Sequence, residues 1–70
     1  MRLTPMEQRV FALLGQGATQ ALIGQVIGRS PKTIQTHVRS LKEKLGVAHI
    51  NELIVLAARQ QGIKERKGDA

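Results

Sequence analysis

Residues 19–46, TQALIGQVIGRSPKTIQTHVRSLKEKLG, decide the fold. Thr19 is placed to cap a short helical segment over 20–27, which closes at Gly28. Ser30 followed by Pro31 opens a longer segment over 31–45, which closes at Gly46. Ser and Thr are favoured at the cap because their oxygens accept a backbone N–H of the first turn, and Pro suits the first helical position. In the first segment Leu22, Ile23, Val26 and Ile27 follow an i, i+1, i+4, i+5 pattern, the width of a buried helical face. In the second, Ile34, Val38, Leu41 and Leu45 recur at steps of four, three and four and gather within about 60° of arc, a narrow core stripe. A short helix, a tight connection at Gly28-Arg29-Ser30 and a helix of roughly 22 Å make a helix-turn-helix candidate.

Flanking segments follow the same punctuation. Thr4, Pro5 and Glu7 predict a capping box at the start of a helix over 5–14, with Val10, Phe11, Leu13 and Leu14 as its apolar face and a stop at residues 15–17. Met6 reads as core or core edge. A fourth helix is predicted over 49–61, with His49 a cap or surface residue, Gly62 as C′ glycine and Ile63 set to touch Ala58 in a Schellman motif. No strand pattern competes. The fold class is therefore all-α: four helices in one domain over 1–63, with the charged residues 64–70 as a frayed tail.

Composition narrows the function. Seventy residues bury only about 60% of their unfolded surface, and without cysteine there is no disulfide or thiolate metal site to add to the core. A core this small does not readily enclose a pocket of the usual ~300–1,000 Å³, so no enzyme and no cofactor are expected. With two His and no Cys at ligand spacing, no metal is expected, and His37 reads as a buried or phosphate-facing residue. There is no apolar run near the roughly 18 residues of a membrane span and no signal-peptide h-region, so the expectation is a cytoplasmic chain without a membrane partner. A formal charge of +6 points to an anionic partner. Phe11 is the one aromatic, too few for single-strand stacking platforms, so a duplex read by a helix fits better.

The charge is placed as well as abundant. Between residues 29 and 44 stand Arg29, Lys32, Arg39, Lys42 and Lys44 against one acid, Glu43, which is +4 of the total +6. Opposite the core stripe lie Lys32, Gln35, Thr36 and Arg39. Arg suits guanine, Gln adenine and a Thr methyl thymine, while Lys suits phosphate. The bland alternative is that any amphipathic helix has a solvated polar face.

Taken in order, Leu3-Thr4-Pro5-x-Glu7-x-x-Val10, Ile23, Ser30-x-Lys32-Thr33-Ile34-x-x-His37-Val38 and Leu41-x-x-Lys44-Leu45-Gly46-Val47 resemble the LuxR/FixJ/NarL-type (GerE-like) domain of bacterial transcription regulators. The resemblance covers about residues 3–63. It implies that the second helix is a scaffold and the third enters the major groove of double-stranded DNA. By position it implies base contacts from Gln35, Thr36 and Arg39, and phosphate contacts from Lys32, Thr33 and His37, with Thr19, Arg29, Ser30, Lys42 and Lys44 completing the phosphate set. It also implies homodimerisation through the fourth helix on an inverted-repeat site. The residues agree, since that helix is apolar nearly all round and leaves Ile50, Ile54, Val55 and Ala58 as candidates for a second buried face.

The chain departs from the family pattern at Ala21, Leu22, Gly24 and Gln35. Ala21 removes a phosphate contact and Leu22 adds an apolar side chain with no evident burial. Gly24 stands mid-helix at an expected cost of about 0.5–1 kcal/mol, and Gln35 favours adenine. Two arrangements are expected: a stand-alone regulator or a domain of a longer one. RNA polymerase and a longer LuxR-type regulator are the protein partners to consider. The rival function is a small interaction module that heterodimerises with such a regulator and inhibits it.

Overall fold

Three of the helices in the computed structural model, which describes residues 2–60, begin with the same hydrogen bond. Thr4, Thr19 and Ser30 are extended (ψ 162°, 165° and 155°), and each hydroxyl oxygen accepts from the N–H three residues on, Glu7, Leu22 and Thr33. The distances are 3.1, 3.1 and 3.2 Å. A cap of this kind contributes about 1 kcal/mol. At the first, Glu7 Oε1 returns the favour by accepting from the Thr4 N–H at 2.9 Å, completing the capping box.

The elements are α1 (Pro5–Gly15), α2 (Gln20–Ile27), α3 (Pro31–Leu45) and α4 (Ile50–Gln60). They fall within one residue of expectation wherever the ends are described. Helix α1 takes in Gly15, and α4 starts one residue late because the Glu52 and Leu53 amides reach back to the His49 carbonyl at 3.1 and 3.2 Å. The predicted stop at Gly62 and Ile63 and the tail over 64–70 lie outside the described residues. Helices α2 and α3 end at glycines in the left-handed region, Gly28 (φ 83°) and Gly46 (φ 72°), where a Cβ would be strained. After Gly46 the Val47 N–H bonds to the Lys42 carbonyl at 3.0 Å, turning the chain toward α4.

The core is Val10 and Leu14 of α1, Ile23 of α2, Ile34, Val38 and Leu41 of α3, and Leu53 and Ala57 of α4. Phe11, Leu13 and Leu45 are half-buried around it, and Met6 is half-buried. Helix α1 packs most broadly on α4 and α3, whereas α2 packs on α3, touches α1 less, and does not meet α4.

That placement corrects the reading of α2. Of its four expected core residues only Ile23 is buried and Ile27 half-buried, while Leu22 and Val26 are 47% and 52% exposed. A helix with neighbours on one side buries one stripe, and the i, i+4 pair 23/27 takes it. Gly24 is corrected too. It is buried at the contact with the α2–α3 turn, and a Cβ there would meet the Arg29 carbonyl oxygen at 2.7 Å. The Arg29 N–H closes the same turn onto the Gly24 carbonyl at 2.9 Å. Glycine here is what lets the two helices approach, so the propensity loss is set against a contact that a side chain would obstruct.

Candidate nucleic-acid interface

Helix α3 turns its Ile34/Val38/Leu41 stripe inward, so the remaining residues divide between two flanks. Lys32, Gln35, Thr36, Arg39 and Lys42 line one open cleft of about 740 Å³. All but Lys42, which is half-buried, are exposed. Thr36 donates its hydroxyl proton to the Lys32 carbonyl at 3.3 Å. Among the described residues the side chains of Lys32, Gln35, Arg39 and Lys42 make no hydrogen bond or ion pair within the chain. Three cations and an amide thus stand unpaired on one concave surface. Such a surface suits an anionic duplex, because phosphates pair with ammonium and guanidinium groups and base edges take hydrogen bonds from amide and guanidinium groups.

The opposite flank carries Thr33, His37, Ser40 and Lys44, all half-buried and none lining the cleft. Here Lys44, expected among the phosphate-contacting residues, is committed elsewhere. Its Nζ lies 2.7 Å from Glu7 Oε1 and 3.5 Å from the Arg2 carbonyl. Ser40 donates to Glu7 Oε2 at 2.8 Å. Glu7 is buried, and the Lys44 ammonium, the Thr4 N–H and the Ser40 hydroxyl hold its carboxyl down at about 2. Those charge-assisted bonds outweigh the burial, which on its own would raise it. The physical reason for this pairing is register. Twelve residues on from Lys32 is about a third of a turn round the helix, which aims Lys44 at α1.

The remaining members of the expected phosphate set sit at helix starts. Thr19 and Ser30 use their oxygens as caps, and Ser30 Oγ is also 3.1 Å from Thr33 Oγ1. Arg29 is exposed in the turn, with Nη1 3.3 Å from the Gly28 carbonyl.

The expected dimer residues do not form one uniform patch. Ile50 packs against the core and lines the α3 cleft. Ile54 is half-buried against the core, Ala58 is half-buried, and Val55 is 50% exposed. What the residue pattern did not show is the cleft's other wall. Gln20 of α2 and the run Ala48, His49, Ile50 and Asn51 at the start of α4 complete it. Their one advance signal was that Gln20 follows a cap.

Among the described residues no three His, Asp or Glu side chains converge as a metal site requires, and no helix is long and apolar enough to cross a membrane.

The comparisons with known proteins agree with this geometry. Residues 1–57 match the family described as bacterial regulatory proteins, luxR family (GerE). The chain is 37% identical over 62 residues to the HTH-type transcriptional regulator MalT of Yersinia pestis, and equally to that of Yersinia pseudotuberculosis. It is 38% identical over 58 residues to a putative HTH-type transcriptional regulator of Mycobacterium bovis. These alignments take in 84% of the chain for the MalT proteins and 83% for the mycobacterial one, but only 7% of the length of each relative. No solved structure matches. With the helix-turn-helix, its glycine-tight turn and the family match running along most of the chain, this chain belongs to the luxR family of bacterial regulatory proteins.

Proposed function

We propose that the chain is a sequence-specific double-stranded DNA-binding module of a transcription regulator, with no catalytic step of its own. The observation that carries this reading is the gathering of Lys32, Gln35, Thr36, Arg39 and Lys42, side chains outward, on one open face of α3. Helix α3 lies in the major groove, with Gln35, Thr36 and Arg39 toward base edges. Lys32, Lys42 and Arg29 neutralise phosphates, aided by the hydroxyls of Thr19 and Ser30. Thr33 and His37 approach the backbone from the half-buried flank. Affinity is then steeply salt-dependent. The module pairs through α4, with Ile54, Val55 and Ala58 at the contact, and reads an inverted repeat whose half-sites are about one helical turn apart. Working on DNA, it acts in the cytoplasm and meets RNA polymerase there.

One selection from a random duplex library at ~0.15 M salt tests it, because that salt suppresses the non-specific attraction of any strongly basic chain. An enriched inverted repeat is expected. Retention without enrichment sinks the reading.

A second reading has its own observation, the exposed pair Leu22 and Val26 on a helix without charge, together with exposed Val55. In that reading the chain pairs with a longer LuxR-type regulator and blocks it. Substituting Val55 by Ser separates the two. Loss of the homodimer together with weaker binding to the inverted repeat supports the DNA reading, and unchanged DNA binding with loss of a heterotypic partner supports the other.

A further inference from the structure

The cleft beside α3 has a wall that α3 does not supply. His49 and Asn51 are both exposed, both line the cleft, and neither side chain makes a hydrogen bond within the chain among the described residues. Between them Ile50 is packed against the core. That anchor fixes its two neighbours as a pair of polar groups at a set distance from the α3 face. The turn that carries them is held in turn. The Val47 N–H bonds to the Lys42 carbonyl at 3.0 Å, the Ala48 N–H to Glu52 Oε1 at 3.2 Å, and the Glu52 and Leu53 amides to the His49 carbonyl.

The cations of the cleft, Lys32, Arg39 and Lys42, all stand on α3. The phosphate contacts proposed off that helix, from Thr19 and Arg29, lie on its α2 side, so contacts of these two kinds leave the α4 side of α3 unanchored and the helix free to roll. A line of contact on the α4 side removes the freedom. Resting on the DNA-binding reading, we propose that His49 and Asn51 contact the sugar–phosphate backbone beside the half-site and so set the angle at which α3 enters the groove. Both are N–H donors on short side chains carried by ordered backbone, which suits positioning rather than base reading. Because α4 also carries Val55, one helix joins the proposed DNA surface to the face proposed for a second copy.

The test uses the duplex retained in the selection and a random duplex of equal length, with the full chain. The double variant His49→Ala/Asn51→Ala should bind both duplexes about tenfold more weakly while melting as wild type does. Hydroxyl-radical footprinting should show protection lost at sugars flanking the α3 contact and kept within it. Asn51→Asp is nearly isosteric, and an acid in the first turn of α4 favours that helix, so folding is not at issue. It should bind more weakly than Asn51→Ala because a carboxylate faces phosphate. Wild-type affinity in the double variant, or a loss confined to the selected duplex, overturns the proposal while leaving the DNA reading intact. A wild-type chain that retains no duplex overturns both.

Discussion

Lys44 Nζ and Glu7 Oε1 stand 2.7 Å apart, joining the last turn of the helix that faces the cleft to the first turn of α1, 37 positions away in the sequence. The Glu7 side chain is 6% exposed and that of Lys44 28%. The same carboxylate takes the Thr4 amide and the Ser40 hydroxyl, so one acid both caps α1 and ties α3 to it. Orientation of the candidate recognition helix therefore depends on a residue that touches no part of the cleft.

Glu7→Gln should lower stability by about 2 kcal/mol, since an uncharged amide keeps the reach of the cap but gives up the ion pair and leaves Lys44 half-buried without a counter-charge. The urea midpoint measures it. The acid limb gives a second readout. Glu7 is depressed from 4.5 to about 2 in the fold, so its stabilisation is whole above 4.5 and is lost as pH falls from there toward 2. The gap between wild type and Glu7→Gln should close over that interval. A gap that stays constant removes Glu7 from the acid response.

Arg39→Ala should cost about 1–3 kcal/mol on a selected duplex and relax one base position, whereas Lys32→Ala should weaken selected and random duplexes alike. Competition binding with both duplexes reads the difference. Equal losses for the two variants on both duplexes would sink the base-reading role of Arg39.

Gly24→Ala separates two opposed effects. Helix propensity alone favours the substitution by up to about 1 kcal/mol. The new Cβ would meet the Arg29 carbonyl oxygen at 2.7 Å, and that oxygen is backbone of a turn already closed onto Gly24 by hydrogen bonds. Overpacking at a backbone contact costs about 1–3 kcal/mol. The expected outcome is a lower melting temperature, and a higher one would show that the turn yields easily.

Features set by neighbours along the chain were legible in the residues. Thr4, Thr19 and Ser30 as caps, Gly28 and Gly46 as stops and the 34/38/41 stripe depend on hydroxyls, φ angles and the helical period, which are local. Features set by distant packing were not. Leu22 and Val26 look like core because their spacing fits a buried face, but burial needs a neighbour, and α2 packs on α3 and less on α1 without meeting α4. Lys44 counts toward a basic face by proximity in sequence, yet its partner comes from α1. His49 and Asn51 carry no pattern, and only the fold of α4 onto the core brings them beside α3.

Val55 gives the cleanest test of pairing through α4. Ile54 packs on the core, so replacing it would unsettle the monomer and confuse the two effects. Val55 is half exposed and Arg59, one turn on, is exposed, so Val55→Ser removes apolar surface from the outside alone. The monomer should melt within about 0.5 kcal/mol of wild type. If α4 is the contact between copies, sedimentation should show the association weakened. On DNA, the variant should bind an inverted repeat about tenfold more weakly and a single half-site as well as before, because only the repeat makes use of the linked second copy. Equal loss on both would place Val55 in the DNA contact instead. No loss on either would leave the α4 face without a role in pairing.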